Sequence, residues 1–278
     1  MLSPGPTGRM ATLFHEDASL AEGVSWLVEL HLRRLERRSG AEALLNTVLA
    51  VLSDGLLPDQ YEVRNVDSEG LWVARKGLKT TYPLQEMSDG YRTVAALVLD
   101  LIRQIQDVYG HIRTTHLDDG GIAVAAPGVV LIDEVETHLH VAWQRQVGGW
   151  MRRHFPNIQF IVSTHSPYVC QAADRDGLIR LPGPSERRRP EVVERDLYGR
   201  VVYGTGDDAV VSELFGLETP YSDRAQEKRR RLVMLESKVF AGDATTEETD
   251  EYAQLSRLLV SSLETRVSEV AAQLGGDH

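Results

Sequence analysis

The chain has 278 residues, 42% of them hydrophobic and 26% charged, which suits one large or two modest folded domains. Its single cysteine excludes an intramolecular disulfide and a cysteine-ligated zinc site, and is typical of a reducing cytoplasm. No apolar run is long enough to cross a bilayer, and no signal-peptide core follows the first residues, so we expect a cytoplasmic protein without membrane contact. The net charge of −11 excludes a surface that is basic throughout, but not a local basic groove.

The first predicted segment, residues 1–60, is helical. Apolar residues at helical spacing predict one helix from Leu20 to about Arg38 and a second from about Ala41 to Leu52. The first helix ends in four arginines, Arg33, Arg34, Arg37 and Arg38. A solvated helix end favoured by the helix dipole is the simpler interpretation, and a contact with nucleic acid is the alternative.

The second predicted segment, residues 61–210, opens with a hairpin and a turn. Alternating residues at 61–66 and 71–75 flank the turn residues 67–70, which predicts an antiparallel β-hairpin. Farther on, Ser88-Asp89-Gly90 precedes a very apolar helix. The start of a helix offers free N–H groups that suit an anion, and Gly90 would let the backbone come close to it. Taken alone, such a turn is usually just a helix cap, with Ser88 as the capping residue.

A strand–helix–strand unit follows. The apolar run Val129–Ile132 ends in Asp133 and Glu134, and a helix is predicted from about Val141 to His154. A second apolar strand, 158–163, ends at Thr164-His165-Ser166. Continuous apolar runs predict parallel strands buried on both faces, and ligands bind at the carboxyl ends of such strands.

The polar residues at these strand ends suit phosphate chemistry. Asp133 could hold Mg²⁺ directly or through water, and Glu134 could orient an attacking water or accept its proton. His165, on the neighbouring strand end, could then reach a terminal phosphate. The alternative is a buried strand that ends in two solvated acids.

In order and spacing, the Ser-Asp-Gly-Tyr-Arg turn, the acid-tipped strand and the Ser-Thr-His-Ser strand end resemble the signature motif, Walker B strand and switch histidine of ABC-type ATPases. The form is that of the SMC/RecF-like branch, which includes stand-alone ATPases of bacterial defence and DNA-repair loci. Glu136-Thr137-His138-Leu139-His140 is similar to the loop that follows the acids in that branch, although Val141 stands where proline is commoner. The resemblance covers about residues 60–210.

This resemblance implies an α/β fold of the P-loop NTPase type: the C-terminal half of an ABC head, with a mostly parallel sheet, a helical signature subdomain and a C-terminal helical hairpin. ATP and Mg²⁺ would be the cofactors. Asp133 would organise Mg²⁺, Glu134 would be the catalytic base and His165 would sense the γ-phosphate. The turn Ser88, Asp89 and Gly90 would contact ATP held by an opposite subunit, and Glu136 and His138 would lie in a loop that crosses to that partner.

The family's Gly-x-x-x-x-Gly-Lys-Ser/Thr phosphate loop, known as Walker A, is absent from residues 1–278. Three explanations stay open: a shortened gene model or fragment, one partner of a split enzyme, or a degenerate protein kept for its interactions. Because that loop supplies the phosphate cradle, we expect no measurable ATPase activity from the isolated chain.

The third predicted segment, residues 211–278, is a helical tail. Helices are predicted at 208–215, 228–239 and 247–273, the last two as an antiparallel hairpin. Before it, the basic loop 185–190 is either solvated or a contact for phosphate backbones. The tail carries no clustered metal ligands typical of a nuclease, so any effector nuclease would be a separate chain.

Three functions are therefore compatible with the sequence. The first is an ATP-driven switch in DNA repair or phage defence, completed as a homodimer or heteromer and acting on DNA or an effector. The second is a non-catalytic scaffold derived from such an ATPase. The third is a metal-dependent hydrolase, whose ligands would come from Asp133, Glu134, His138, His140 and His165.

Overall fold

A computed structural model describes residues 16–183 and 186–259. The chain forms two compact units, the first ending at Phe215 and the second beginning at Gly216. The first unit contains every candidate site residue named above. No helix of the described ranges is both long and apolar enough to span a membrane.

Three helices and a small sheet build the N-terminal part of the first unit. Helix α1 spans Glu16–Leu35, α2 spans Ala41–Ser53 and α3 spans Asp89–Tyr109. Their core side chains, among them Leu27, Leu45 and Leu99, are fully buried. The two predicted helices are present, with ends shifted by a few residues. Burial of these apolar faces is what stabilises the helices in water.

The predicted hairpin is present and gains a third strand. Strands β1 (Tyr61–Asp67), β2 (Gly70–Arg75) and β3 (Thr81–Pro83) form an antiparallel sheet in that order, and a short 3₁₀ helix, Leu84–Glu86, follows. The turn is tighter than predicted, because Asp67 pairs with Gly70 across only two residues. The Asp67 carboxylate stabilises this turn by accepting a 2.8 Å hydrogen bond from the backbone N–H of Glu69.

The predicted strand–helix–strand unit is also present. Strands β4 (Thr114–His116) and β5 (Ile122–Val124) form a short antiparallel pair, which the sequence did not predict. Strand β6 (Gly128–Ile132) then pairs in parallel with β7 (Ile158–Val162). The helix between them is broken into α4 (Val141–Gln144) and α5 (Val147–His154), so the prediction of one continuous helix was wrong.

The prediction that both strands are buried on two faces was wrong as well. Side chains alternate along a strand, and one face of the β6–β7 pair packs against the core through residues such as Ile132 and Phe160. The opposite face exposes Val129 by 62%, Leu131 by 56% and Ile161 by 50%. Within the first unit, no described element covers this outer face. The expected mostly parallel sheet is likewise limited to this pair, since the other three sheets of the described residues are antiparallel.

Helix α5 is fastened to the N-terminal helices through Asp54, which follows α2. The indole N–H of Trp150 donates to the Asp54 carbonyl oxygen at 2.8 Å. The ring of His154 is fully buried, stacks on Trp150 with centroids 4.0 Å apart, and lies 3.1 Å from the Asp54 carboxylate. These contacts hold the strand–helix–strand unit in a fixed position against the helical part.

The rest of the first unit has its own small core. Helix α6 is Pro167–Cys170, β8 (Ile179–Arg180) pairs antiparallel with β9 (Glu191–Val192), and α7 (Arg195–Tyr203) and α8 (Gly206–Val210) follow. Buried Leu178, Val193 and Val201 belong to this core. The helix predicted at 208–215 is shorter, and α7 was not predicted.

The second unit is a pair of helices, α9 (Asp223–Ala241) and α10 (Thr246–Leu258). Arg231 contacts Glu251 and Lys238 contacts Glu248, so later positions in α9 meet earlier positions in α10. The helices are therefore antiparallel, as the sequence predicts. The part of the predicted helix that lies beyond Leu259 is outside the described residues.

Candidate functional site

Strands β6 and β7 end at the same edge of their sheet, and their polar residues meet there. The backbone N–H of Ser163 donates to the carbonyl oxygen of Ile132 at 3.0 Å, which extends the parallel pairing by one step. The N–H of Val135 then donates to the Ser163 carbonyl oxygen at 3.2 Å. Asp133 and Glu134 are consequently held beside the segment that leads to His165, at the edge where ligands of α/β proteins bind.

Ser163 links the two acids. Its hydroxyl donates to the Asp133 carboxylate and accepts a 2.8 Å hydrogen bond from the backbone N–H of Glu134. The side chain directly after β7 thus fixes both the carboxylate and the backbone that directly follow β6. In the sequence, Ser163 is the last residue of a predicted strand, and its place directly before Thr164-His165 is a local signal for its role.

Glu134 has an unusual backbone conformation. Its φ angle is +45°, in the left-handed region that non-glycine residues seldom adopt and that costs of order 1–3 kcal/mol. The side chain is exposed, and its only described hydrogen bond is a long one, 3.4 Å, from the Thr137 hydroxyl. The surrounding bonds therefore hold a strained backbone whose carboxylate is left accessible to a substrate.

The Glu136 carboxylate forms its hydrogen bonds with the segment that follows β7 in the same chain. It accepts hydrogen bonds from the Thr164 hydroxyl, at 2.5 Å, and from the backbone N–H of His165. Burial, together with the negative charge of Glu136, also raises the pKa of the Cys170 thiol to about 11. Cys170 is therefore an uncharged core residue at neutral pH. Glu136 orients the segment that carries His165.

The turn before α3 meets the loop that follows the acids. Ser88 occupies the N-cap position, as predicted, but its hydroxyl makes no capping hydrogen bond. At Gly90, a Cβ atom would lie only 2.9 Å from the His138 carbonyl oxygen. Like Glu134, His138 has a positive φ, of 63°. The turn and the loop line one open cavity of about 500 Å³, together with Pro58, Tyr91, Leu139, His140 and Trp143.

Two residues of this cavity have defined hydrogen-bonding states. The Tyr91 hydroxyl donates to the Asp59 carboxylate at 2.7 Å, and burial together with this bond raises the pKa of Tyr91, so the phenol stays protonated. The Nδ1 atom of His140 accepts a 3.3 Å hydrogen bond from the Ala142 N–H and thereby caps α4. Asp89, at the rim, forms an ion pair with Arg92.

The predicted site residues thus form two groups. Asp133, Glu134, Glu136 and His165 lie at the sheet edge, and Ser88, Asp89, Gly90 and His138 lie around the turn. Within the part of the chain that the structure describes, no hydrogen bond or ion pair joins the turn residues 88–90 to Asp133, Glu134 or His165. The 500 Å³ cavity likewise contains none of these three residues.

Oxygen atoms at the sheet edge would suit Mg²⁺ if the ion were bound there together with a phosphate. The Asp133 carboxylate and the Ser163 hydroxyl offer hard oxygen atoms, which suit an ion that keeps several waters and binds phosphate oxygens. No group of three His, Cys, Asp or Glu side chains placed to hold a metal occurs among the described residues. The hydrolase hypothesis, which needed His138 and His140 beside the acids, therefore finds no support in the geometry.

An acid-tipped strand, paired in parallel with a strand that leads into Ser-Thr-His, fits an α/β protein of the P-loop NTPase type. Comparison with protein families identifies the group. The chain belongs to the family described as "AAA domain, putative AbiEii toxin, Type IV TA system", whose model matches residues 30–171. This range contains every predicted site residue.

Curated relatives carry related names. The chain is 35% identical over 109 residues to "Retron Ec83 probable ATPase" of Escherichia coli. The matched region is 39% of this chain and 18% of the relative. The chain is 37% identical over 112 residues to "Septu protein PtuA" of Bacillus mycoides (strain KBAB4), with 40% and 14% covered. "Retron Vc95 probable ATPase" of Vibrio cholerae serotype O1 biovar El Tor is 34% identical over 111 residues, with 40% and 20% covered. The chain therefore spans a fifth or less of the length of these relatives.

Among solved structures, one match comes from work described as structural biochemistry of ATP-driven dimerization and DNA-stimulated activation of SMC ATPases. It has 20% sequence identity and a TM-score of 0.40, and covers 56% of this chain and 86% of the other.

Proposed function

We propose that this chain supplies the signature turn and the catalytic carboxylate of an ATP-hydrolysing switch in a bacterial antiphage defence system. The observation that carries the proposal is the pairing of β6 with β7, which holds Asp133 and Glu134 next to the segment containing His165. The family and the names of the relatives support an ATPase of this kind. DNA repair, the other setting that the motif resemblance implies, has no comparable support.

In this proposal each residue group has its own task. Asp133 holds Mg²⁺ with oxygen ligands, Glu134 accepts a proton from the attacking water, and His165 contacts the terminal phosphate. When bound, Mg²⁺ supplies charge neutralisation at the phosphate oxygens. Ser163 and Glu136 position these groups by hydrogen bonds that leave the Glu134 carboxylate exposed.

The turn residues Ser88, Asp89 and Gly90 act on the nucleotide of an opposite subunit. Their packing against His138, apart from Asp133 and Glu134, supports a composite site, because one chain presents the two groups at separate places. We propose a homodimer or a heteromer in which each nucleotide lies between two chains. ATP then stabilises the assembled form by mass action until it is hydrolysed. An effector nuclease would be a separate chain.

The exposed outer face of β6–β7 supports the proposal that this chain does not hydrolyse ATP by itself. Large aliphatic side chains exposed by half or more usually face a partner or another segment. We propose that a polypeptide segment carrying a Gly-Lys-Ser/Thr phosphate loop covers Val129, Leu131 and Ile161 and completes the nucleotide site.

ATP turnover tests the proposal in two steps. For the purified chain alone, we expect the Mg²⁺-dependent rate of phosphate release from ATP to be no higher than that of the Glu134→Gln variant. In complex with a polypeptide from its own locus that carries the phosphate loop, the chain is expected to hydrolyse ATP. Glu134→Gln should slow this reaction by about 10²–10⁴-fold. Glu191→Gln, which removes an exposed carboxylate on β9, is the matched control and should leave the rate unchanged.

Two results would contradict the proposal. Robust turnover by the chain alone, lost in Glu134→Gln, would show that the nucleotide site is complete without a further segment. If the complex hydrolysed ATP at the same rate with and without the Glu134 carboxylate, Glu134 would have no catalytic role. A complex that forms stably through the outer face of β6–β7 without any turnover would favour the alternative function, a scaffold.

A further inference from the structure

The hairpin β8–β9 presents a basic loop on a rigid base. Its strands pair Ile179 with Val192 and Arg180 with Glu191. Just below them, Leu178 and Val193 are 8% exposed and belong to the second core of the first unit. The loop ends in Arg187-Arg188-Arg189, all exposed, followed directly by Pro190, which restricts the backbone where the chain enters β9.

The chain has a second run of three arginines, whose side chains have partners within the fold. In α9, the guanidinium of Arg231 binds the Glu251 carboxylate at 3.0 and 2.6 Å, and that of Arg229 lies 3.8 Å from the centroid of the Tyr221 ring. Arg230 donates to Gln226 at 3.5 Å. By contrast, residues 187–189 have no side-chain hydrogen bond or ion pair to any other residue in the described ranges. The helical run supports its own fold, whereas the loop run is available to an external anion.

Nearby acids do not neutralise the loop. Glu186, the carboxylate next to it in sequence, pairs with Arg180 at 3.3 Å. Between Glu186 and Glu191 the loop carries three arginines, so it stays net positive in a chain whose net charge is −11. Binding of a polyanion by this protein would therefore be local, and this loop, whose guanidiniums outnumber its flanking carboxylates, is a place for it.

From these observations we infer that loop 187–189 binds the phosphate backbone of nucleic acid. Arginine matches phosphate geometry because its planar guanidinium can donate two parallel hydrogen bonds. Three adjacent guanidiniums in one exposed loop can meet successive phosphates, and such contacts carry no sequence preference. This surface does not depend on the nucleotide site proposed above, since it includes none of the residues at the edge of β6–β7.

Salt dependence of binding tests the inference. Fluorescence anisotropy would be measured with the full chain and a labelled 30-base-pair duplex, and with one of its single strands, between 50 and 200 mM salt. Three phosphate contacts predict a slope of log K against log salt of about −2.7 for the duplex and about −2.1 for the single strand. The affinity for the duplex should therefore fall by roughly 40-fold over this range.

The main variant replaces Arg187, Arg188 and Arg189 with Gln, and it should weaken binding at least tenfold and flatten the slope. Its charge-matched control replaces Arg33, Arg37 and Arg38, three exposed arginines near the end of α1, with Gln. Of these, Arg33 pairs with Glu29 and Arg38 with Glu36. The control should bind as the parent protein does. Equal circular dichroism spectra would show that both variants fold.

Three outcomes would overturn the inference. One is the absence of binding to either probe at 50 mM salt, which would indicate that the loop binds a protein partner instead of nucleic acid. Another is unchanged binding by the loop variant. The last is loss of binding only in the α1 variant, which would assign nucleic-acid contact to the other arginine cluster.

Discussion

Glu136 and His165 lie 29 positions apart, yet the carboxylate of Glu136 accepts a hydrogen bond from the backbone N–H of His165. The same carboxylate also binds the hydroxyl of Thr164. The loop after β6 therefore sets the conformation of the segment after β7. In a nucleotide switch, a movement of either segment would be transmitted to the other through this carboxylate.

Replacing Glu136 with Ala should release the segment that carries His165. The amide of His165 loses a charged acceptor worth about 1.5–3 kcal/mol, so its hydrogen exchange should accelerate by roughly 10- to 100-fold. Hydrogen exchange read by NMR measures this directly. Glu134→Gln is the matched control, because Glu134 makes no side-chain bond to His165. Equal exchange at His165 in the parent and Glu136→Ala proteins would show that the bond does not order this segment.

Gly90 is predicted to be needed for the packing of the turn on the loop. A Cβ there would lie 2.9 Å from the backbone oxygen of His138, and backbone cannot move aside as a flexible side chain can. Gly90→Ala should therefore destabilise the first unit by about 1–3 kcal/mol. Urea denaturation followed by tryptophan fluorescence measures the change.

Gly149, in α5, provides the control for that substitution. A Cβ at Gly149 would meet no atom within 4 Å, so Gly149→Ala should be neutral or stabilise the helix by up to about 1 kcal/mol. If both substitutions had the same effect, the close approach of Gly90 to His138 would not be a constraint on stability.

Much of this site could be predicted from the sequence because its signals are local. The apolar run that ends in Asp133 and Glu134 predicts a strand with acids at its carboxyl end, and the run before Thr164 predicts its neighbour. The order and spacing of these two runs then predict that both strands belong to one strand–helix–strand unit. The pairing of β6 with β7 confirms this part of the prediction.

Other features depend on contacts that are distant in sequence. The local sequence around Ser163 does not show that its hydroxyl bridges Asp133 and the Glu134 backbone, 30 and 29 residues away. Burial was predicted wrongly for a related reason. An apolar run indicates that a strand can be covered on both faces, but the covering must come from another segment. Within the first unit, no described segment lies over Val129 and Leu131.

The buried ring of His154 predicts a strong dependence on Asp54. One ring nitrogen lies 2.9 Å from the Trp150 carbonyl oxygen, which can only accept a hydrogen bond. The other faces the Asp54 carboxylate at 3.1 Å. Asp54→Ala would leave that nitrogen buried without its partner, which should destabilise the first unit by about 1.5–3 kcal/mol in urea denaturation.

Asp119 is the natural control for Asp54, since both carboxylates contact Arg153. Asp119 is exposed by 59%, and an exposed ion pair contributes about 1 kcal/mol or less. Asp119→Ala should therefore have a small effect. A loss for Asp119→Ala as large as that for Asp54→Ala would show that Arg153, and not His154, makes Asp54 important.

The helical pair of the second unit should lose stability in acid. Hydrogen bonds from the Lys238 ammonium and the Thr245 N–H lower the pKa of Glu248 below its usual 4.5. A hydrogen bond from the Arg231 guanidinium lowers that of Glu251 in the same way. Since the folded state binds these protons less readily than the unfolded state, the stabilisation is complete above about pH 4.5 and is lost as the pH falls through the lowered values.

An NMR titration of the full chain from pH 7 to pH 3 would follow the backbone amides of α9 and α10. In the parent protein, the amides around Glu248 and Glu251 should change first as the pH falls towards the low end of this range. The double variant Glu248→Gln and Glu251→Gln should be less stable at pH 7 and should change less on acidification, because its side chains do not titrate. Glu247→Gln removes a carboxylate from the same helical turn and should retain the acid sensitivity of the parent. Acid sensitivity that is identical in the parent and the double variant would mean that other groups control this transition.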